Sequence, residues 1–113
     1  MRIPVKIAAG RFLLLDAAEI YFIESDGDDV WVRTARKRRY RGGRRLAEWE
    51  TRLRAAGFLR IHRSFLVNLD RVREVRLRAD DTNDWEVKLD PPVNAVLPVG
   101  RAQVEAVRDV LGM

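Results

Sequence analysis

The chain contains no cysteine and a single histidine among its 113 residues. The first absence excludes disulfides, thiolate metal sites and a cysteine nucleophile, and is compatible with the cytosol. The second leaves zinc without its usual nitrogen and sulfur ligands, so neither a metal nor a cofactor is expected. No run of ~18 apolar residues is present, so nothing is expected to span a membrane. The N-terminal Met1-Arg2-Ile3-Pro4-Val5-Lys6 meets Gly10-Arg11 too soon for the apolar stretch of a signal peptide, and a cytoplasmic location is expected. No glycine-rich loop matches a phosphate or dinucleotide fingerprint. Ser64 lies two residues from His62, close enough to share a strand face. No orienting carboxylate is evident in the neighbouring sequence, and a nucleophile needs both a base and an oxyanion site. Catalysis is not expected.

Charge of both signs is plentiful: 22 Lys and Arg against 17 Asp and Glu, a net of +5. The excess is local. Between Arg33 and Arg45 lie Arg33, Arg36, Lys37, Arg38, Arg39, Arg41, Arg44 and Arg45 with no acid, so the remainder of the chain is mildly acidic. Arginine forks onto phosphates and stays charged. The stripe fits a polyanion partner, and also fits a plainly solvated basic face. A composition 47% hydrophobic and 35% charged suits a folded chain. The length suits one domain on a prior of ~100–200 residues per domain, here residues 1–113, and two independent cores would be hard to build from so little chain.

Alternation predicts strands at Ile3-Val5-Ile7 and at Trp85-Val87-Leu89. Phe12 to Leu15 is a further short apolar run, and the continuous run Ile20 to Ile23 is predicted to lie in the core. Ser25 to Asp29 carries turn chemistry, despite a calcium-like look that lacks the spacing and closing Glu of an EF-hand. Val30 to Val32 and the basic stripe predict a hairpin with arginines on its exposed face. Leu46, Trp49, Leu53 and Ala56 mark one stripe of a helix, with Gly57 placed to end it. Phe58 to Leu69 and Arg71 to Arg78 are β-prone. Pro91-Pro92 breaks a strand, Val93 to Val99 is the last strand, and Val104, Val107, Val110 and Leu111 mark a terminal helix. Many short strands without βαβ alternation predict a mainly β fold of antiparallel sheets with two short helices.

The segment Phe58-Leu59-Arg60-Ile61-His62-Arg63-Ser64-Phe65-Leu66-Val67-Asn68-Leu69 resembles the signature F-x-R-I-H-R-S-F/Y-L-V-N of the LytTR DNA-binding domain. Upstream, Ile20 to Val32 is similar to that family's strand–loop–strand "I-x-Y-I-E-A-x-G-N-Y-V-x-V". Downstream, Leu97-Pro98-Val99-Gly100-Arg101 is similar to its "L-P-V-S-R". The resemblance runs from about Ile3 to Leu111. It implies an elongated stack of antiparallel β-sheets, and a bacterial transcriptional regulator that binds double-stranded DNA through loops rather than a recognition helix. The outer loops of the family are understood to enter successive major grooves, with a middle loop between them. Carried over, the first loop is Asp26 to Asp29, with Asp28 and Asp29 as contacts. The middle loop holds His62, Arg63 and Ser64, and the third holds Arg101. The basic stripe, through Arg38, Arg39, Arg41 and Arg44, would grip phosphates while loops specify.

Three departures from the family pattern are visible. Gly100 stands where Ser is usual, which removes a hydroxyl and adds backbone freedom. The first loop is acidic, so it must avoid phosphates or accept from cytosine N4. Arg45 replaces the usual Thr or Ser ahead of the first helix, which leaves the N-cap in doubt. His62 also reads as a packing residue, and Ser64 and Asn68 as satisfying local backbone groups. Arg101 at a helix start opposes the helix dipole, which favours a functional reason for it. The expected partners are duplex DNA, a second copy on repeated half-sites, and a regulator protein or domain. Two alternatives stay open: a module docking an acidic partner through the basic hairpin, and a β-rich RNA binder with Tyr40, Trp31 and Trp85 as stacking faces.

Overall fold

The structure, a computed structural model, describes residues 1–36, 39–79 and 83–113. In chain order the strands are β1 (Arg2–Ala8), β2 (Arg11–Asp16), β3 (Ile20–Asp26), β4 (Asp29–Thr34) and β5 (Arg39–Arg41). Helix α1 (Leu46–Leu53) follows, then β6 (Phe58–His62), β7 (Phe65–Asn68), β8 (Val72–Leu77), β9 (Trp85–Leu89) and β10 (Val96–Pro98), and finally α2 (Val104–Leu111). Every strand pairing is antiparallel. They form a two-stranded sheet β1-β2, a five-stranded sheet β5-β4-β3-β7-β6 and a three-stranded sheet β10-β9-β8. The molecule measures 49 × 26 × 26 Å, the elongated β stack expected.

The central sheet is buried on both faces, and β3 explains how. Ile20 and Ile23 face one apolar cluster with Ile3, Val5, Leu15, Trp49 and Leu53, which belongs to the β1-β2 sheet and α1. Tyr21 and Phe22 face the other, with Val87, Leu89, Leu97 and Val107 from the β8–β10 sheet and α2. Two successive residues share a face because the pairing with β4 shifts between Ile20 and Phe22, a bulge that breaks the strict alternation of a strand. A strand buried on both sides reads as a continuous apolar run, which is why Ile20 to Ile23 carries no polar interruption. The two clusters are therefore the two faces of one sheet and share its strands. Full burial of Trp49, Ile20, Ile23 and Leu66 stabilises the centre by roughly 1.5–3 kcal/mol for each aliphatic side chain.

Three elements differ from the sequence expectation. The segment Phe58 to Leu69 divides into two strands around a turn at Arg63-Ser64, with a pairing shift between Arg60 and His62. The last strand is only Val96–Pro98, because a turn held by Asn94 N–H to Asp90 O (3.1 Å) and Leu89 N–H to Ala95 O (2.9 Å) occupies its expected first half. The first turn is tighter than Ser25 to Asp29. Asp26 pairs with Asp29, leaving a two-residue hairpin whose first central residue, Gly27, has φ 60, as such turns demand. Gly57 ends the first helical segment at φ 83, as its place predicts.

Candidate nucleic-acid interface

Three turns meet at one end of the central sheet. The β3–β4 turn is tied to the β6–β7 turn by Ser25 N–H donating to Ser64 O at 2.9 Å. The β6 strand is tied to the segment after β10 by Gly100 N–H donating to Ile61 O at 2.7 Å. The resulting row runs from Asp28 through Arg63-Ser64 to Arg101. No single stretch of sequence supplies it.

Each turn is held differently. In the middle turn Arg60 does most of the holding. Its Nε donates to His62 O (2.9 Å), an Nη donates to Arg63 O, and the other Nη lies 3.3 Å from Glu50 of α1. The strand's own arginine thus ties the turn's carbonyls to a helix beneath. His62 is half-buried, its Nδ1 accepting from Ser64 N–H at 3.0 Å and its ring tilted against Phe65. Burial, then the charges of Arg63 and Arg60, lowers its pKa below the usual 6.5. A neutral imidazole is what the accepting Nδ1 requires. Arg63 is exposed at the tip.

In the third segment, Gly100 has φ −64 and ψ 144. That is a conformation any residue adopts, so its glycine is not demanded by the backbone. Arg101 follows at the start of a short 3-10 turn that runs into α2. Its side chain is 87% exposed, and its Nε lies 3.2 Å from Asp84 Oδ1. In the first turn, Asp28 is exposed, while Asp29 pairs with Arg41 at 2.7 Å. That neighbour offsets part of the acidity that sets this loop against phosphate.

Among the described residues, the basic stripe is spread along the β4–β5 hairpin and the segment after it. Arg41 and Arg44 lie at the end of the sheet where the turns meet, since Arg41 is opposite Trp31 and Gly42 N–H donates to Val30 O at 2.7 Å. Arg39 pairs with Arg33 further along the hairpin, and Arg36 lies beyond, toward the opposite end. The Nε of Arg33 is buried without a hydrogen-bond partner among the described residues. Arg38 lies outside the described residues. Arg39 and Arg41 both stack on Trp31, at 4.1 and 4.8 Å from the ring centre. Arg44 packs 5.9 Å from the Trp49 ring and 3.9 Å from Glu48. Arg45 stands at the N-cap of α1 without a side-chain cap bond, as the substitution of Thr or Ser implies. Asn68 is buried; it accepts locally from Asp70 N–H, as expected, but also donates to Ile20 O of the distant β3.

Sequence reasoning missed Arg60, Glu50 and Asp84. Arg60 sits at the third place of the quoted signature and was readable there. Nothing local marks Glu50 or Asp84, which reach the site from 10 and 17 residues away.

Residues 10–112 match the family model described as the LytTr DNA-binding domain. The chain is 35% identical over 99 residues to a CO-responsive transcriptional regulator, RcoM, of Rhodospirillum rubrum, covering 88% of this chain and 40% of that protein. It is 32% identical over 120 residues to the heme-containing CO-sensing transcriptional regulator RcoM 1 of Paraburkholderia xenovorans, covering 99% of this chain and 40% of that one. The chain thus spans about 40% of the length of these relatives. Among solved structures, the LytTr DNA-binding domain of a putative methyl-accepting/DNA response regulator from Bacillus cereus superposes with a TM-score of 0.82 at 20% identity, covering 99% of this chain and 97% of that one. With the family model spanning nearly its whole length and the same stacked-sheet fold, the chain belongs to the LytTR family, the DNA-binding domain of transcriptional regulators.

Proposed function

We propose that this chain binds double-stranded DNA with sequence specificity and serves a bacterial transcriptional regulator, reading successive grooves through its turns rather than through a helix. The observation that carries the reading is the convergence of Asp28, Arg63-Ser64 and Arg101 on one end of the central sheet, joined by the Ser25–Ser64 and Gly100–Ile61 backbone bonds. Arg101 presents an exposed planar fork, suited to guanine O6 and N7 in the major groove. Arg63 occupies the middle position, and Arg41 and Arg44 flank the row, where they serve phosphates. His62 acts chiefly as a support for the middle turn, with Ser64 closing its local hydrogen bond.

The RNA alternative is disfavoured by the aromatic faces. Trp31 is stacked by Arg39 and Arg41, Tyr40 packs on the core, and Trp85 packs on the other cluster with Arg108 at 6.0 Å. A base-stacking platform needs a free face.

The test is selection of bound sites from a random duplex pool, followed by titration of the selected duplex against single-stranded RNA and an acidic protein. Enrichment of a defined site that outcompetes random duplex by at least a hundredfold is expected; specific binders generally exceed their non-specific binding by 10³ or more. A pool that stays random after repeated rounds, or tighter binding of RNA or acidic protein, refutes the reading.

A further inference from the structure

We propose that Asp84 is a positioning residue for base discrimination: by holding Arg101 Nε it fixes the guanidinium so that its two terminal nitrogens face outward as a fork. The inference rests on the reading of Arg101 as a base contact given above.

The N-terminal end of β9 places both partners. Asp84 directly precedes β9, and its carbonyl accepts from Arg78 N–H at 2.9 Å. The next residue, Trp85, accepts from Val99 N–H at 2.9 Å, two positions before Arg101. Backbone bonds therefore bring Asp84 to Arg101 before any side chain is placed. The carboxylate is the more sheltered partner, 26% exposed against 87% for the arginine, so the arginine is the group that is steered. Among the described residues Arg101 is held through Nε, 3.2 Å from Oδ1, which leaves the Nη1 and Nη2 end for an outside acceptor. A long exposed side chain otherwise samples many rotamers, and fixing it in advance reduces what binding must order.

Stability does not account for this pair, because an exposed ion pair contributes little to folding. Nor does affinity, because a carboxylate beside a DNA-facing arginine repels phosphates. An acid that weakens general attraction but orients a reading group changes specificity and non-specific affinity in opposite directions.

The experiment measures binding of the full chain to its selected duplex, to that duplex with each guanine changed, and to random duplex. The proteins are the parent, Asp84→Ala, Asp84→Asn, Arg101→Ala and the Asp84→Ala/Arg101→Ala double variant. Asp84→Ala is expected to lose discrimination at the guanine governed by Arg101, on the order of tenfold, a part of what a bidentate contact confers. It should also bind random duplex about twofold more tightly at low salt, since a phosphate-repelling charge has gone. Asp84→Asn keeps an acceptor for Nε without the charge, and should retain most of the discrimination while sharing the tighter random binding. In the Arg101→Ala background, Asp84→Ala should cause no further loss of discrimination. Independently of any variant, the Arg101 Nε–H of the free parent should be more ordered by nitrogen relaxation than that of Arg63. Discrimination unchanged in Asp84→Ala, an equal loss in the Arg101→Ala background, or an Arg101 Nε–H as mobile as its exposed neighbours overturns the positioning role. If Arg101→Ala itself discriminates like the parent at every guanine, the base-reading assignment falls, and the positioning role with it.

Discussion

Removal of the Arg60 guanidinium tests how the middle turn is held. Arg60 donates to the carbonyls of His62 and Arg63 and pairs with Glu50, with side-chain exposures of 23% and 33% for the ion pair. A hydrogen bond from a charged donor contributes about 1.5–3 kcal/mol when its acceptor is buried. Here Arg63 is exposed and water can replace part of each bond, so about 1 kcal/mol for each carbonyl is the appropriate share. The half-covered ion pair adds up to about 1 kcal/mol. Arg60→Ala is therefore expected to destabilise the fold by about 2–3 kcal/mol, which lowers Tm by roughly 8–15 °C for a chain of this size. Urea unfolding followed by tryptophan fluorescence gives the free energy. The selected duplex gives the functional cost: conditions that keep the variant fully folded should still show weakened binding, because the Arg63 turn is no longer tied to α1. Glu50→Gln should cost less than half as much, since it removes only the ion pair. A loss below about 0.5 kcal/mol in Arg60→Ala, with binding unchanged, would refute the view that Arg60 holds the turn.

Gly42→Ala should destabilise by about 1–3 kcal/mol, read by the same unfolding curve, because its Cβ would stand 2.8 Å from Val30 Cγ1 and 2.9 Å from Trp49 Nε1 in the core. Gly100→Ser should fold normally, since its φ suits any residue and the nearest obstacle is the movable end of Gln103. His62 has its pKa lowered by burial, so the folded state binds fewer protons than the unfolded state just below pH 6.5. Stability should accordingly be present above that pH and fall as acid is added through 6.5 toward the lowered value, and His62→Asn should flatten this fall in pH-dependent melts. Arg41→Ala with Arg44→Ala should weaken every duplex alike and reduce the slope of log K against log salt by about 1–2, given about 0.9 per phosphate neutralised; Arg36→Ala, on the hairpin's far side, should leave it unchanged.

Local pattern carried much of the fold. The alternation of β1 and β9, the apolar stripe of α1 and the glycine that ends it all depend on nearest neighbours, so they were legible. The double burial of Ile20 to Ile23 was legible as a core run, but not its division between two clusters. That division depends on a pairing shift against β4. The end of the β-prone stretch at Pro98 was visible, whereas its start was not, because Val93 to Ala95 form a turn closed by backbone bonds to β9 and its end. In the candidate site, the placing of Arg63 and Arg101 in turns was readable from motifs, and the Arg41–Asp29 pair was not. The arginine stripe looked continuous in sequence. Strand pairing in the β4–β5 hairpin turns it back on itself, so that among the described residues Arg41 and Arg44 lie beside the row of turns and Arg39 shares the Trp31 ring with Arg41. Asp84 had no local mark at all, since only the β9–Val99 bond brings it to Arg101.

In the proposed function, one end of the five-stranded sheet meets DNA. Backbone amide chemical shifts of the labelled chain, followed during titration with the selected duplex, test it most directly. The largest changes are expected at Gly27-Asp28, Arg63-Ser64 and Gly100-Arg101, with smaller ones at Arg41 and Arg44. The β1-β2 hairpin and the outer face of α2 should stay still. Largest changes on Phe12 to Leu14 or along α2, with the three turns unaffected, would contradict it.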